Sequence, residues 1–319
     1  HAFRLAMSAT PNRKDDDGAF GDPDVIVTYE EARKEGAVKP LIGHSYTYRI
    51  DTISAEGDIV SYTTTELKDE FGDGADMEKK GIERNMRWSP HYISPLVSVP
   101  IERMVRNQLN TGLPLQAVIG AMCVSHAEQV CKQVKAMFPE LRVEWVGTKN
   151  GDHGREPEIN KQLIEQFAPA QRDMRGKHEI DVLVHVGMAG EGLDSIYVSE
   201  VIHLNAASLN NSNNQENGRA ARYLDGVVGN INFDSCSDYA RKNFLGPHIE
   251  QAFSEEMAKP CGLCGKLPCE CKPREPNNDD DLRLPDELPT VLIGDMELIK
   301  IDSNEPEVKR TQRMFATDK

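Results

Sequence analysis

Long apolar runs are absent from this sequence. No stretch of eighteen apolar residues occurs in its 319 residues, which excludes a membrane-spanning helix within it. Residues 1–10 lack the charged-then-apolar order of a secretory signal. The expectation is a cytoplasmic protein, or one in host cytoplasm if the source is viral. Aromatic residues are scarce at 6%, which argues against a protein built to stack bases. Positive charge is short as well: 37 Lys and Arg face 52 Asp and Glu, for a formal charge of −15. A globally basic nucleic-acid binder is excluded by that balance, whereas a local basic groove on an acidic body is not. Cysteine is too uneven for a disulfide framework: of seven, Cys123, Cys131 and Cys236 are scattered and the other four crowd into residues 261–271. No internal repeat is present.

What is there separates into three textures. Residues 1–87 begin with a short apolar run, Phe3 to Met7, that stops at Ser8-Ala9-Thr10-Pro11, and continue through a polar, Gly/Asp-rich loop. Val25 to Val27 reads as a strand. Tyr29 to Gly36 reads as a short helix closed by glycine, and Tyr46 to Ile53 and Asp58 to Thr64 as two strands. Glu66 to Arg87, charged and poor in apolar residues, reads as a linker or exposed helix. Residues 88–245 alternate short apolar runs with helix-period segments. Strands are predicted at Ala117–Val124, Arg142–Val146, Ile180–Val186, Glu200–Leu204 and Val227–Phe233. Helices are predicted after Ser125, with Glu128 completing a capping box, around Ile159–Phe167 behind Pro157, and over Asn214–Tyr223. That alternation predicts an α/β fold, a parallel sheet with helices on both faces. Residues 246–319 hold the cysteine cluster, a Pro/Asn/Asp-rich linker and a segment, Val291–Ile301, that reads as a hairpin turning at Gly294-Asp295.

Three local patterns carry chemistry. Gln215-Glu216-Asn217-Gly218-Arg219-Ala220-Ala221-Arg222 places Gln215, Arg219 and Arg222 on one face of a helix, and two guanidinium forks on one face suit a phosphate chain. The strand ending at Val186 runs into Gly187-Met188-Ala189-Gly190-Glu191-Gly192-Leu193-Asp194. A glycine-rich loop at the carboxyl end of a parallel strand is where α/β sheets bind ligands. Ser8 and Thr10 put small hydroxyl groups at a strand end.

In this order and spacing the patterns resemble the superfamily-two helicases and translocases, in the branch of DEAD/DEAH-like motors found in restriction enzymes, repair helicases and phage helicases. Ser8-Ala9-Thr10 is similar to motif III, Ala117–Val124 with Ser125 to motif IV, and Val186–Asp194 to motif V. Gln215–Arg222 matches the Q-x-x-G-R-x-x-R of motif VI. Thr28–Lys39 with Pro40 looks like the connector that follows motif III. The likeness spans residues 3–235 and implies two RecA-like domains facing each other across ATP and Mg²⁺. Residues 1–87 would then be the end of the first domain and the connector, 88–245 the second domain, and 246–319 a zinc knuckle with an acidic tail. The resemblance implies that Arg219 and Arg222 stabilise charge on the γ-phosphate and that Gln215 places the nucleotide or the attacking water. It implies that Gly192 and Asp194 contact ATP and link its site to the strand groove. Ser8, Thr10, Ser125 and Gly190 would serve coupling and nucleic-acid contact.

Two departures stand out. Val186 and Gly187 occupy positions where many relatives have Thr and Asp. No G-x-x-x-x-G-K-[ST] and no D-E-x-H after an apolar strand occurs, since Asp69-Glu70 and Asp286-Glu287 lie in polar stretches. The expectation is a fragment whose missing partner is the first RecA-like domain in cis, inactive as an ATPase by itself. DNA is the expected partner ahead of RNA, with no membrane involved. A double-strand translocating subunit of a restriction or repair complex is one alternative. The other is a non-catalytic nucleic-acid or protein-binding module with a helicase-like fold.

Cys261-x-x-Cys264 followed by Cys269-x-Cys271 supplies four thiolates at the spacing of a structural Zn²⁺ site. Lys259, Lys266, Lys272 and Arg274 put positive charge around it. His126 and His203, set in or beside apolar runs, read as packed or capping side chains rather than catalytic ones.

Overall fold

The computed structural model describes residues 29–53, 57–66, 82, 85–148, 154–169, 176–186, 193–205, 211–235 and 292–303. In chain order these form α1 (Tyr29–Lys34), β1 (Leu41–Ile53), β2 (Ile59–Thr63), α2 (Pro90–Thr111), β3 (Gln116–Gly120), α3 (Val124–Met137) and β4 (Val143–Val146). Then follow α4 (Pro157–Phe167), β5 (Val182–His185), β6 (Val198–His203), α5 (Asn211–Ala220), β7 (Gly229–Asp234) and β8 (Leu292–Ser303).

All eight strands join one sheet, in the order β2-β1-β7-β6-β3-β5-β4, with β8 on the other edge of β1. The pairs from β1–β7 through β5–β4 are parallel, and β2 and β8 run antiparallel to β1. Burial on both faces explains the near-continuous apolar reading of the central strands. Ala117, Ile119, Val182 and Val184 pack into one core with Tyr92, Leu96, Ile101 and Met104 of α2 and Val130 and Val134 of α3. The alternating residues Val118, Leu183, Val201 and Ile231 pack into a second core with Phe167 of α4 and Ala220 of α5. The fold is therefore α/β, a mostly parallel sheet between two helical layers.

Helix α2 has clear ends. Ser89 accepts from the His91 amide at 3.3 Å, Pro90 opens the first turn, and Gly112 closes the helix at φ 69° with its N–H on the Gln108 carbonyl. Its inner face meets a row of polar strand residues. Arg103 grips both Glu200 carboxylate oxygens at 2.9 and 2.8 Å and donates to Asn232 Oδ1 at 2.7 Å. Asn230 and Asn232 each donate to Glu200 at 3.0 Å. Nearby, Tyr92 donates to Asp234 at 2.6 Å, and Arg87 pairs with the same carboxylate at 3.2 Å.

Several expectations change. The 292–303 segment is a single strand on β1, because Leu292, Met296, Leu298 and Ile301 register against Ile53, Ile50, Tyr48 and Tyr46 rather than against one another. Helix α3 starts at Val124 behind Cys123, which makes no side-chain cap bond, so the Ser125–Glu128 capping box does not form. Ile82, Met86 and Arg87, expected in an exposed segment, are buried because they pack under α2 and the sheet. Helix α5 ends at Ala220, short of Arg222. Val25–Val27 and the acidic linker lie outside the described residues.

Candidate functional site

Strands β6, β3 and β5 lie side by side, and Gly120 is the register partner of both His185 and His203. The carboxyl ends of three parallel strands therefore finish level with one another. Helix α5 lays the Glu216 carboxylate across them: Oε1 is 3.1 Å from His185 Nε2, and Oε2 is 3.3 Å from His203 Nδ1. The other nitrogen of His203 lies 2.8 Å from Asn217 Oδ1, so oxygens face both ring nitrogens and select the imidazolium. All three titratable residues are at most 4% exposed. Burial pushes the Glu216 carboxyl up, but the two facing histidines outweigh it and hold the group well below the usual carboxylate range. Burial likewise disfavours the charged His203 ring, yet Glu216, with Asn217 and Asn205, raises its pKa.

One turn further along α5, Arg219 is buried at 5% exposure and donates to the Leu193 carbonyl. Burial first, and the neighbouring Arg222 second, lower its pKa to about 10. Arg222 lies past the helix end and pairs with the Asp194 carboxylate, its own side chain remaining 32% exposed. Leu193 and Asp194 directly follow the glycine-rich loop. The two arginines and that loop's exit are thus one patch, and Arg222 reaches it through the turn after α5 rather than along a continuous helix face.

The chain entering β1 braces the patch from below. Val38 bridges Arg222, and the Lys39 amide donates to the Ala221 carbonyl at 2.7 Å. The Lys39 ammonium, 1% exposed, donates to the Ile196 and Val198 carbonyls at 2.8 and 2.7 Å. Burial and, secondarily, Arg222 lower its pKa to about 7. Gly229, at the start of β7, allows the close approach of α5's end, since a Cβ there would stand 2.3 Å from the Ala220 carbonyl oxygen.

Of the residues singled out from sequence, Arg219, Arg222 and Asp194 meet here. Gln215 lies on α5, with its side chain outside the described residues. Ser125 is exposed in the first turn of α3 at the end of β3. Ser8, Thr10, Gly190, Gly192, Cys261, Cys264, Cys269 and Cys271 fall outside the described residues. His126 is a buried brace, receiving the Met122 amide at Nδ1 (3.1 Å) and facing the Arg87 carbonyl through Nε2 (3.0 Å). Sequence reasoning missed Glu216, His185 and Lys39 as parts of the site. The one available signal was a histidine closing each of two strands, His185 and His203.

No family model and no curated protein matches the chain. Among solved structures it is similar to a fragment described as an HsdR subunit of a type I restriction enzyme from Vibrio vulnificus YJ016. The identity is 16% over 76% of this chain and 41% of that one, with a TM-score of 0.45. It is also similar to the ATP-dependent Type ISP restriction-modification enzyme LlaBIII bound to DNA, at 15% identity over 78% of this chain and 16% of that one, TM-score 0.34. A third likeness is to domain 2 of the DEAD-box helicase Mss116p bound to an RNA duplex, at 18% identity over 44% of this chain and 49% of that one, TM-score 0.32. The chain spans less than half the length of each. These are partial likenesses at low identity, and the functional reading rests on the chain's own residues.

Proposed function

We propose that this chain is the arginine-bearing, RecA-like lobe of an ATP-dependent DNA helicase or translocase. The observation that carries the reading is the meeting of Arg219 and Arg222 with Leu193 and Asp194, where the chain leaving the glycine-rich loop enters β6. The donor set suits a phosphate chain. Arg222 already faces a carboxylate, an anion of phosphate-like hydrogen-bonding character, and keeps a third of its side chain exposed. In this reading the guanidinium groups stabilise negative charge that develops on the transferred phosphoryl group, an effect worth about 10³–10⁵ in rate for arginines in related hydrolases. The chain holds no G-x-x-x-x-G-K-[ST]. The grip on the triphosphate and on Mg²⁺, which neutralises phosphate charge when bound, therefore falls to a second lobe. DNA is the favoured strand because the motif order resembles the restriction and phage branch.

The test is nucleic-acid-stimulated ATP hydrolysis. The 319-residue chain alone should show none. In the natural gene product that contains it, Arg219→Ala or Arg222→Ala should lower the rate about 10³–10⁵-fold. Hydrolysis at the parent rate in the double variant would overturn the reading. Zn²⁺ on Cys261, Cys264, Cys269 and Cys271 belongs to the same proposal on spacing alone, and substoichiometric zinc in chelator-free protein would remove it.

A further inference from the structure

A carboxylate that is nine-tenths buried is costly unless something in the fold needs it there. Glu216 is 4% exposed, and it stands on the helix that carries Arg219, one turn before it, with Arg222 just past the helix end. It faces titratable groups from two strands: His185 at the end of β5 and His203 at the end of β6. Asn205 approaches from the segment after β6, and Asn217 meets His203 from α5 itself. Arg219 feels its charge along the helix, with Arg222 and Asp194 beyond. The strand between the histidines contributes no side chain. A Cβ on Gly120 would lie 3.2 Å from Glu216 Oε2 and 3.4 Å from the Asn205 amide nitrogen. The missing methyl leaves the notch in which the carboxylate sits.

We infer that Glu216 is the positioning residue for the arginine pair: it clamps α5 to the ends of β5 and β6 through His185 and His203, over the notch at Gly120. The clamp fixes the rotation and height of α5, and with them the reach of Arg219 to the Leu193 carbonyl. Van der Waals packing alone leaves a helix some freedom to roll, whereas one carboxylate set between rings of two strands at 3.1 and 3.3 Å draws it to both by charge. The clamp is strongest while Glu216 is ionised and the facing imidazole is protonated. It weakens as pH rises and the His203 proton leaves, because the buried carboxylate then loses its charged partner. Arg219 should shift on that alkaline limb.

The clamp rests on the proposed function only for what the arginines do, so its test reads the arginine directly. In the isotope-labelled 319-residue chain, NMR follows the His185 and His203 ring signals and the Arg219 Nε–H signal against pH. In the parent protein Arg219 should move with the same midpoint as His203, and that midpoint should lie above the ordinary ~6.5 of histidine. Glu216→Gln should lower the His203 midpoint and abolish the pH response of Arg219. Gly120→Ala should act in the same direction with Glu216 still in place, and it stands in if Glu216→Gln fails to fold. An Arg219 signal indifferent to His203 titration, or unchanged in both variants, would overturn the clamp. In the natural gene product, Glu216→Gln should lower kcat for ATP at least about tenfold with little change in KM, since it misplaces a group acting on the transition state. Co-titration as expected, together with ATP turnover indifferent to Arg219→Ala, would sink the proposed function and leave the clamp standing. Turnover that needs Arg219, with an Arg219 signal blind to Glu216, would sink the clamp alone.

Discussion

Two residues of the patch make separate claims about stability. Gly229 has its missing side chain replaced by backbone, because a Cβ would stand 2.3 Å from the Ala220 oxygen and 2.7 Å from Leu41 Cδ2. A carbonyl fixed at the end of α5 cannot swing aside as a side-chain tip would. Gly229→Ala should therefore cost about 2 kcal/mol or more, read as a lower urea midpoint with an unchanged slope. Lys39 argues through pH. Its folded pKa, about 7, lies below the ordinary lysine value of 10.5, so between those limits the unfolded chain binds more protons than the folded one. Stability should rise across that window, and Lys39→Met should flatten the rise in urea midpoints measured from pH 7 to 10. An identical slope in parent and variant would refute the assignment. The motif arginines were legible because their spacing is local. Glu216 was not, because its partners arrive from strands 31 and 13 residues upstream and its seat is a glycine on a third strand.

At the scale of single elements, tertiary packing decided what local signals could not. Helix α2 carries Pro95 and Pro100 inside it, and each breaks the hydrogen-bond ladder at roughly 3 kcal/mol. Against that, Tyr92, Ile93, Leu96, Val97, Ile101 and Met104 are fully buried on its inner face. At roughly 1.5–3 kcal/mol for each such side chain, burial wins. A reading from the chain alone stops at the prolines and finds no helix there. The strands were more legible, since burial on both faces leaves an apolar run that needs no partner to be noticed. In β7 the alternation Asn230, Asn232, Asp234 hid the strand's inner face, because its polar row is satisfied by α2 and β6 rather than by water. That row has a measurable consequence. Arg103→Ala would leave Glu200, itself 0% exposed, without its bidentate partner. The expected loss is about 3–5 kcal/mol, since an uncompensated buried charge costs more than the pair contributed. Arg103→Ala combined with Glu200→Gln should recover part of it in a double-mutant cycle, and strict additivity would show the two groups to be uncoupled.

For the molecule as a whole, the decisive contact joins distant stretches of chain. Strand β1 is the spine: β7 and β2 occupy one edge and β8 the other. Through β1 the chain that enters it and the patch are held in one body, because Lys39 and Val38, at its entrance, brace Ala221 and Arg222. Strand β8 comes from far along the sequence, yet it pairs with β1 from His44 to Ile53. It covers an edge whose residues Tyr46, Tyr48 and Ile50 are fully buried. An uncovered edge of that length and apolarity is a template for pairing with another chain. A chain stopped after residue 290 should therefore keep its parallel core and lose its monodispersity. It should elute in size-exclusion chromatography as higher oligomers, and its urea midpoint should fall. Placing a lysine at the freed edge by Thr47→Lys should restore the monomer without restoring the midpoint, since charge blocks edge pairing and does nothing for the lost cover. A truncated chain that stayed monomeric with the parent midpoint would mean that β8 adds nothing to the body that carries the arginine patch.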